Sequence, residues 1–257
     1  MTAKRCEGCR DGADLPFDFT MAFHPIVDLN AKRVWGYETL VRGINGEGAG
    51  AILGMVDDTN RYRFDQACRV KSIEAAGRLF KDPELRLSVN FMPNAVYEPS
   101  ACIRASLAAA ERVGFKRERI MFEFTEDEKI ADIAHLRRII AEYRRHGFIT
   151  ALDDFGAGYA GLGLLADFQP DLIKIDMHLL RGIDASPSRQ AIVAGLMQIA
   201  RSLDIKVIAE GVETMEELMV LRGAGVSLVQ GYLFAKPMIG ALPPVRLLDD
   251  DRLRAVA

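Results

Sequence analysis

The chain has 257 residues, of which 49% are hydrophobic and 27% charged, a length and composition typical of one large core rather than two. The formal net charge is −3, so no overall positive field binds the chain to a nucleic acid polymer by counterion release. The N-terminal residues lack the apolar stretch of a signal peptide, and polar residues interrupt the longest apolar runs. The sequence therefore predicts neither export nor a membrane span.

Two of the four cysteines, Cys6 and Cys9, form a CxxC motif near the N-terminus. A structural zinc site needs a second pair of ligands, and Cys68 and Cys102 stand alone in helical patterns. We therefore predict an N-terminal tail over residues 1–18 rather than a zinc site. So few cysteines also argue against a secreted disulfide framework and favour the cytoplasm.

Short β-rich runs alternate with longer helical patterns along most of the chain, which is typical of βα units around a parallel sheet. Eight strands are predicted: Ala22–Leu29, Val34–Arg42, Leu85–Phe91, Ile120–Phe124, Phe148–Leu152, Leu172–Ile175, Lys206–Ala209 and Ser227–Gln230. The helical patterns cover Arg61–Phe80, Ser100–Val113, Ile130–His146, Pro187–Leu203 and Glu213–Arg222. Ser186 and Pro187 have the residue types of an N-cap and a first helical position.

The first two strands are joined by only Asn30, Ala31 and Lys32, too few residues for a helical crossover, so they are predicted to form an antiparallel hairpin. The predicted fold is α/β: a TIM-like (β/α)8 barrel with one antiparallel strand near its start. A doubly wound open sheet is the alternative. We assign residues 19–240 to this domain and residues 241–257 to a C-terminal extension that is helical in part.

Polar residues recur where the predicted strands end. They are Glu38, Asn90, Glu123, Glu126, Asp153, Asp154, Lys174, Asp176, Glu210 and Gln230. A single strand-terminal carboxylate is often only a turn former or a helix cap. Seven successive strand ends that each supply a polar group are harder to explain in this way, and in a barrel these ends form the active site.

Five of these acids would bring a formal charge of −5 into one barrel mouth: Glu38, Glu123, Asp153, Asp154 and Glu210. Two carboxylates about 4 Å apart repel by roughly 4 kcal/mol at an effective dielectric constant near 20, so cations or protons are required. Two divalent ions together with Lys174 would neutralise the charge. Oxygen ligands, with Asn90 as a neutral donor, suit Mg²⁺ or Mn²⁺ better than zinc.

Paired divalent ions lower the pKa of a bound water for attack on a phosphodiester, so the pattern predicts phosphoester hydrolysis. The residue types alone leave open an enolase-like or aldolase-like metal barrel.

The motifs ETLVR (38–42), VNFMPN (89–94), FEFTE (122–126), DDFGAGYAGL (153–162), KID (174–176), AEGVET (209–214) and QGYLFAKP (230–237) occur in this order. As an ordered set they resemble the EAL-domain family of cyclic di-GMP phosphodiesterases, from about Phe19 to Met238. The resemblance implies a barrel enzyme that hydrolyses cyclic di-GMP to linear 5′-pGpG with two divalent cations.

The resemblance also implies residue roles. Glu38, Asn90, Glu123 and Asp153 are similar to the ligands of one metal, and Asp153, Asp154 and Glu210 to those of the other. Lys174 is similar to the lysine that contacts the attacking water. Glu210 is one of two candidates for the general base, the other being a hydroxide on the metals. Leu40, Arg42, His24, Gln230 and Asp154 are expected to contact the substrate, with Arg42 at a phosphate.

The glycine-rich loop of residues 155–163 resembles the family segment that couples the metal site to a homodimer interface, supported by Glu126. The chain departs from the family pattern at His24, where the family usually has glutamine, and in the segment GINGEGAGA after Arg42. We therefore expect altered guanine binding with intact chemistry. The rival hypothesis is a cyclic di-GMP receptor or interaction module without catalysis, and hydrolysis of a different dinucleotide is a third possibility.

Overall fold

The computed structural model describes residues 15–125, 133–157 and 161–247. Its strands are β1 Thr20–Asp28, β2 Arg33–Arg42, β3 Arg86–Asn90, β4 Ile120–Thr125, β5 Ile149–Phe155, β6 Leu172–Ile175, β7 Lys206–Ala209, β8 Leu228–Gln230 and β9 Met238–Ile239. The helices are α1 Ala49–Leu53, α2 Arg61–Leu79, α3 Pro99–Cys102, α4 Arg104–Arg112, α5 Ile133–Arg145, α6 Gly161–Asp167, α7 Met177–Leu180, α8 Pro187–Ser202 and α9 Met215–Gly223. Short 3₁₀ helices cover Pro93–Ala95, Arg117–Arg119 and Ile183–Ala185.

Strands β2 to β8 pair in parallel in chain order, and β1 closes the sheet by pairing with both β2 and β8. Because β1 is antiparallel to both neighbours, the predicted eight-stranded barrel with one reversed strand is confirmed and the open sheet is excluded. The hairpin turn is also confirmed, with the Asp28 carboxylate accepting hydrogen bonds from the backbone N–H groups of Asn30 and Ala31, both at 2.9 Å.

Some elements differ from the prediction, whereas one predicted helix cap agrees with it. The helix predicted over Ser100–Val113 is two helices, α3 and α4, which meet at Ile103. Strand β9 was not predicted; it pairs with the outer end of β1 at Ala22 and Phe23. The Ser186 cap of α8 is confirmed, since its hydroxyl accepts a hydrogen bond from the Arg189 N–H at 3.5 Å.

The barrel has two apolar layers. A large cluster of buried side chains lies between the sheet and the helices. A smaller cluster has one fully or nearly buried residue from each of seven strands: Trp35 of β2 and, from six other strands, Ile26, Met121, Ala151, Leu172, Ile208 and Leu228. Each of the latter six lies two positions from a polar residue of the predicted site, and alternate residues of a strand share a face. The smaller cluster therefore fills the barrel below the site.

The ends of the chain are partly described. Leu15 and Phe17 pack against the apolar cluster around Phe19 and Phe64, so the last residues of the predicted tail contact the barrel. Residues 241–247 contain no helix. Cys6, Cys9, Glu126 and residues 248–257 lie outside the described residues, so the predictions made for them stay predictions. No helix in the described part of the chain is long and apolar enough to cross a membrane.

Candidate metal and catalytic site

Lys174 lies at the centre of the polar end of the barrel. Its Nζ atom is 2.6 Å from Glu210 Oε1, 3.0 Å from Glu123 Oε2, 3.1 Å from Asp153 Oδ1 and 3.5 Å from Glu38 Oε2. The lysine side chain is fully buried. Five residues from five different strands or strand ends thus meet within contact distance, as the sequence predicted.

The strand register accounts for this meeting. His24 is paired with Glu38 across β1 and β2, and Asn90 with Glu123 across β3 and β4. Lys174 lies one layer above Leu172 on the inner face of β6, and Glu210 directly follows β7. Neighbouring side chains on one face of a sheet are about 5 Å apart. The polar side chains at these positions therefore lie close together.

Two amides orient Glu38. Asn90 Nδ2 donates to Glu38 Oε1 at 3.0 Å, and Gln230 Nε2 donates to Glu38 Oε2 at 3.0 Å. Gln230 also reaches the backbone oxygen of His24 at 3.5 Å. Both oxygens of one buried carboxylate are therefore held in a fixed direction by neutral donors.

The C-terminal end of β5 places two adjacent carboxylates. The backbone N–H of Asp154 donates to Asp153 Oδ1 at 2.9 Å, and Asp154 has a positive φ of 54°. The pairing of β5 with β6 shifts its register between Leu152 and Phe155. A non-glycine residue with positive φ is uncommon, and such residues cluster at functional sites. The bulge lets both Asp153 and Asp154 contribute an oxygen to one acidic cluster.

The pKa values reflect excess negative charge in a buried place. Burial, opposed by Lys174 and reinforced by Glu38 and Asp153, raises the pKa of Glu123 to about 8. Burial and the Asp153 charge raise the pKa of Glu210 well above its usual range. Burial opposes the charge of Lys174, yet the surrounding carboxylates raise its pKa. For Glu38 burial is outweighed by Lys174, His24 and the two amides, so its pKa is lowered.

The carboxylates fit divalent cations. Oxygen atoms of Glu38, Glu123 and Asp153 lie within 4.8 Å of one another, and so do oxygens of Asp153, Asp154 and Glu210. Asp153 belongs to both groups. Glu123 Oε1 is buried without a hydrogen-bond partner among the described residues, and a buried carboxylate oxygen left in this state is costly. A cation there would satisfy it, and oxygen ligands of this kind suit Mg²⁺ or Mn²⁺.

A cavity of 710 Å³ opens beside the acidic cluster. Its polar side is formed by Glu38, Asn90, Asp153 and Asp154, and Leu40 also lines it. The rest of the wall was not predicted from the sequence. It is formed mainly by apolar residues: Met21, Val41, Ala49, Leu53, Phe64, Cys68 and Met92. A cavity of this size can take a drug-sized or nucleotide-sized ligand.

Not every predicted substrate contact lies at this cavity. Arg42 Nη1 donates to the neighbouring backbone oxygen of Val41 at 2.7 Å, and Arg42 is not among the lining residues. His24 and Gln230 are buried behind Glu38 rather than on the cavity wall. The substrate contacts of Arg42, His24 and Gln230 therefore stay predictions. Asp176, which was predicted only as a polar residue at a strand end, caps α7 by accepting from the His178 N–H at 2.8 Å.

Comparison with known proteins agrees with this geometry. A family model described as "EAL domain" matches residues 17–237. The chain belongs to the EAL-domain family. The resemblance drawn from the ordered motifs is therefore confirmed over nearly the same span.

Several relatives of this EAL domain are known. It is 51% identical to a standalone versatile EAL protein from Vibrio cholerae O395 solved in its c-di-GMP-bound form, with a TM-score of 0.87 over 91% of this chain and 98% of that one. The calcium and cy-diGMP complex of BlrP1 from Klebsiella pneumoniae is 34% identical, with a TM-score of 0.83 over 88% of this chain and 57% of that one.

Among curated relatives, the blue light- and temperature-regulated antirepressor BluF of Escherichia coli K12 is 34% identical over 87% of this chain. The cyclic di-GMP phosphodiesterase NbdA of Pseudomonas aeruginosa is 31% identical over 88% of it. The chain spans 55% of the length of BluF and 31% of the length of NbdA. The family therefore includes proteins named as phosphodiesterases and one named as an antirepressor.

Proposed function

We propose that this EAL domain hydrolyses cyclic di-GMP to linear 5′-pGpG with two divalent cations, Mg²⁺ or Mn²⁺. The observation that carries the proposal is the pair of carboxylate groups that share Asp153 and surround Lys174. Relatives solved with c-di-GMP, and in one case also with calcium, support it. We also propose that the protein acts in the cytoplasm as a homodimer.

We assign Glu38, Asn90, Glu123 and Asp153 to one cation and Asp153, Asp154 and Glu210 to the other. Divalent cations in such a site supply charge neutralisation and a water of lowered pKa. Five carboxylates, two such cations and the Lys174 ammonium sum to zero charge. A neutral pocket is then ready for an anionic substrate, whereas the acids alone would repel it.

The chain's own groups orient the reactants. We assign Lys174 to contact the attacking water. We assign Glu210, which lies 2.6 Å from Lys174, to accept a proton from that water. The water oxygen joins the phosphorus and the bond from phosphorus to the ribose 3′ oxygen breaks. That oxygen takes up a proton from solvent, while Glu210 releases to solvent the proton that it accepted. Leu40 packs against the dinucleotide along the cavity wall, and Arg42 exchanges its backbone partner for a substrate phosphate. Gln230 supports Glu38, and His24 lies on the guanine side.

The deciding experiment incubates purified protein with cyclic di-GMP and Mn²⁺ or Mg²⁺ and measures pGpG. We expect turnover that EDTA abolishes. Glu38→Ala removes a buried ligand and should lower turnover at least about 100-fold, more than the loss of a residue that only orients a ligand. Glu74→Ala is the matched control, because that glutamate pairs with Arg112 on the outer surface and its loss should leave turnover unchanged. Normal turnover by Glu38→Ala would refute the metal assignment.

A second candidate function is binding without catalysis. The similarity to BluF, named as an antirepressor, favours it. Tight binding of cyclic di-GMP without pGpG formation at any Mn²⁺ or Mg²⁺ concentration would establish this alternative. Sedimentation velocity tests the homodimer separately, and Leu162, which lies within the segment 155–163 and is 57% exposed on α6, is the position to replace with a charged residue.

A further inference from the structure

A second buried charged cluster lies on helix α2, outside the acids that surround Lys174. Arg69 Nη2 is 2.5 Å from Asp65 Oδ2, and the two side chains are 0% and 1% exposed. Arg69 Nη1 donates to the Tyr143 hydroxyl at 2.5 Å. Arg69 is among the largest fully buried side chains in the described part of the chain. The proposed chemistry does not use this cluster.

Aromatic rings enclose the guanidinium group. Its carbon lies 5.2 Å from the ring centre of Phe91, 5.4 Å from that of Phe122 and 5.8 Å from that of Tyr143. Phe91 directly follows Asn90, and Phe122 directly precedes Glu123. The ion pair therefore packs against the chain neighbours of two proposed metal ligands.

Asp65 also binds the backbone next to Asn90. Its Oδ1 atom accepts a hydrogen bond from the Met92 N–H at 2.9 Å. The preceding residue, Phe91, donates its N–H to the backbone oxygen of Glu123 at 2.8 Å. Asn90 itself donates to Glu38 at 3.0 Å. Asn90 and the two residues that follow it are thus held by three different elements. The hydrogen bond from Met92 to Asp65 is the contact made by helix α2.

We infer that the Asp65–Arg69 pair positions Asn90 for metal binding by fixing the segment Asn90–Met92 from helix α2. This inference rests on the proposed function, in which Asn90 is a ligand. A buried ion pair is weak support for stability, because apolar residues of similar volume often stabilise a core as well or better. What an apolar pair cannot supply is the directed acceptor for the Met92 N–H. Groups that orient ligands in this way typically change metal affinity 10–100-fold when removed.

The test measures Mn²⁺ binding to substrate-free protein by titration calorimetry. Asp65→Ala is expected to weaken Mn²⁺ binding about 10-fold or more. Asp65→Asn keeps an acceptor oxygen for Met92 and should restore part of that affinity. In EDTA-treated protein, amide hydrogen exchange of residues 90–92 should be faster in Asp65→Ala than in the parent protein, because the Met92 N–H has lost its partner.

Ile120→Ala is the matched control for lost stability. Ile120 is fully buried at the opposite end of β4, so its truncation should lower the melting temperature without changing Mn²⁺ affinity or the exchange of residues 90–92. If Asp65→Ala does not fold, the double variant Asp65→Leu/Arg69→Met keeps an apolar core and still lacks the acceptor. The inference is overturned if the variant that folds binds Mn²⁺ as tightly as the parent protein and its amides of residues 90–92 exchange at the parental rate. Absence of Mn²⁺ binding in the parent protein would refute the proposed function instead.

Discussion

The two buried charged clusters of this barrel differ in charge balance. Around Lys174 one cation faces four carboxylates, whereas Arg69 faces the single carboxylate of Asp65 and a ring of aromatic side chains. Burial of unmatched charge is costly unless cations or protons are added. The carboxylates around Lys174 therefore need cations or protons to balance their charge, whereas the charges of Arg69 and Asp65 balance each other within the chain.

The largest effect is expected when the Lys174 cluster loses its lysine, the one cation among its four carboxylates. Lys174→Met should lower the free energy of unfolding in EDTA by about 3–5 kcal/mol, the usual cost of uncompensated buried charge, and should abolish turnover. Because the added cations neutralise the same carboxylates, Mn²⁺ should recover much of the stability but none of the turnover. Urea unfolding with EDTA or Mn²⁺ measures the stability, and pGpG formation measures the turnover. Equal stability of variant and parent in EDTA would contradict the expected charge imbalance.

The protein should lose stability when one member of the Asp65–Arg69 pair is replaced, but much less when both are replaced. Arg69→Met leaves Asp65 buried without its partner and should lower the free energy of unfolding by about 3 kcal/mol, with or without Mn²⁺. The double variant Asp65→Leu/Arg69→Met should recover most of this stability. Urea unfolding of the two variants decides. A double variant as unstable as Arg69→Met would show that the pair does more for stability than charge balance explains.

The barrel itself could be predicted from the sequence, because β-rich runs that alternate with helical patterns indicate βα units and the three-residue link of the first hairpin excludes a helical crossover. The ends of Leu172–Ile175 and Lys206–Ala209 agree with β6 and β7. Strand β9 could not be predicted, since two exposed residues carry no alternation. Helix α1 was missed because its sequence, AGAIL, is short and follows a glycine-rich segment.

The site was predicted because its residues end strands, and the Asp65–Arg69 pair was missed because it lies within a helix. Charged residues four positions apart on a helix usually form an exposed pair. A signal was nevertheless present, since Ile73 and Ala76 continue the same helical face with apolar residues and are fully buried. Charges that share a face with such residues indicate a buried pair. The apolar cavity wall was missed because it combines residues from distant segments.

The pH dependence of stability tests the excess of carboxylates around Lys174. Because the pKa of Glu123 is raised to about 8, the folded metal-free protein holds a proton that the unfolded chain releases near the usual glutamate value. Stability in EDTA should therefore fall as pH rises from about 5 to 8, by up to about 1.4 kcal/mol per pH unit for each such group. Glu123→Gln should flatten part of this slope, and so should Mn²⁺. An identical slope in Glu123→Gln would exclude Glu123 as its source.

The smallest effect is expected at His24, which is paired across the hairpin with Glu38 of the Lys174 cluster. Its Nε2 atom is buried without a hydrogen-bond partner in the described part of the chain, and its ring lies 6.0 Å from Tyr232. Burial, opposed by the Glu38 charge, lowers the pKa of His24, so the ring is uncharged at neutral pH. A neutral imidazole offers one donor and one acceptor, whereas glutamine offers two donors and an acceptor oxygen.

If His24 weakens guanine binding, His24→Gln should lower KM for cyclic di-GMP several-fold, which corresponds to one hydrogen bond of about 1 kcal/mol, and leave kcat unchanged. The matched control is His178→Gln, because that side chain is 82% exposed on α7 and should change neither constant. Rates with cyclic di-AMP separate guanine recognition from general affinity, since they should not improve. A change in kcat at constant KM would instead place His24 with Glu38, its partner across the hairpin, in the chemistry of the acidic cluster.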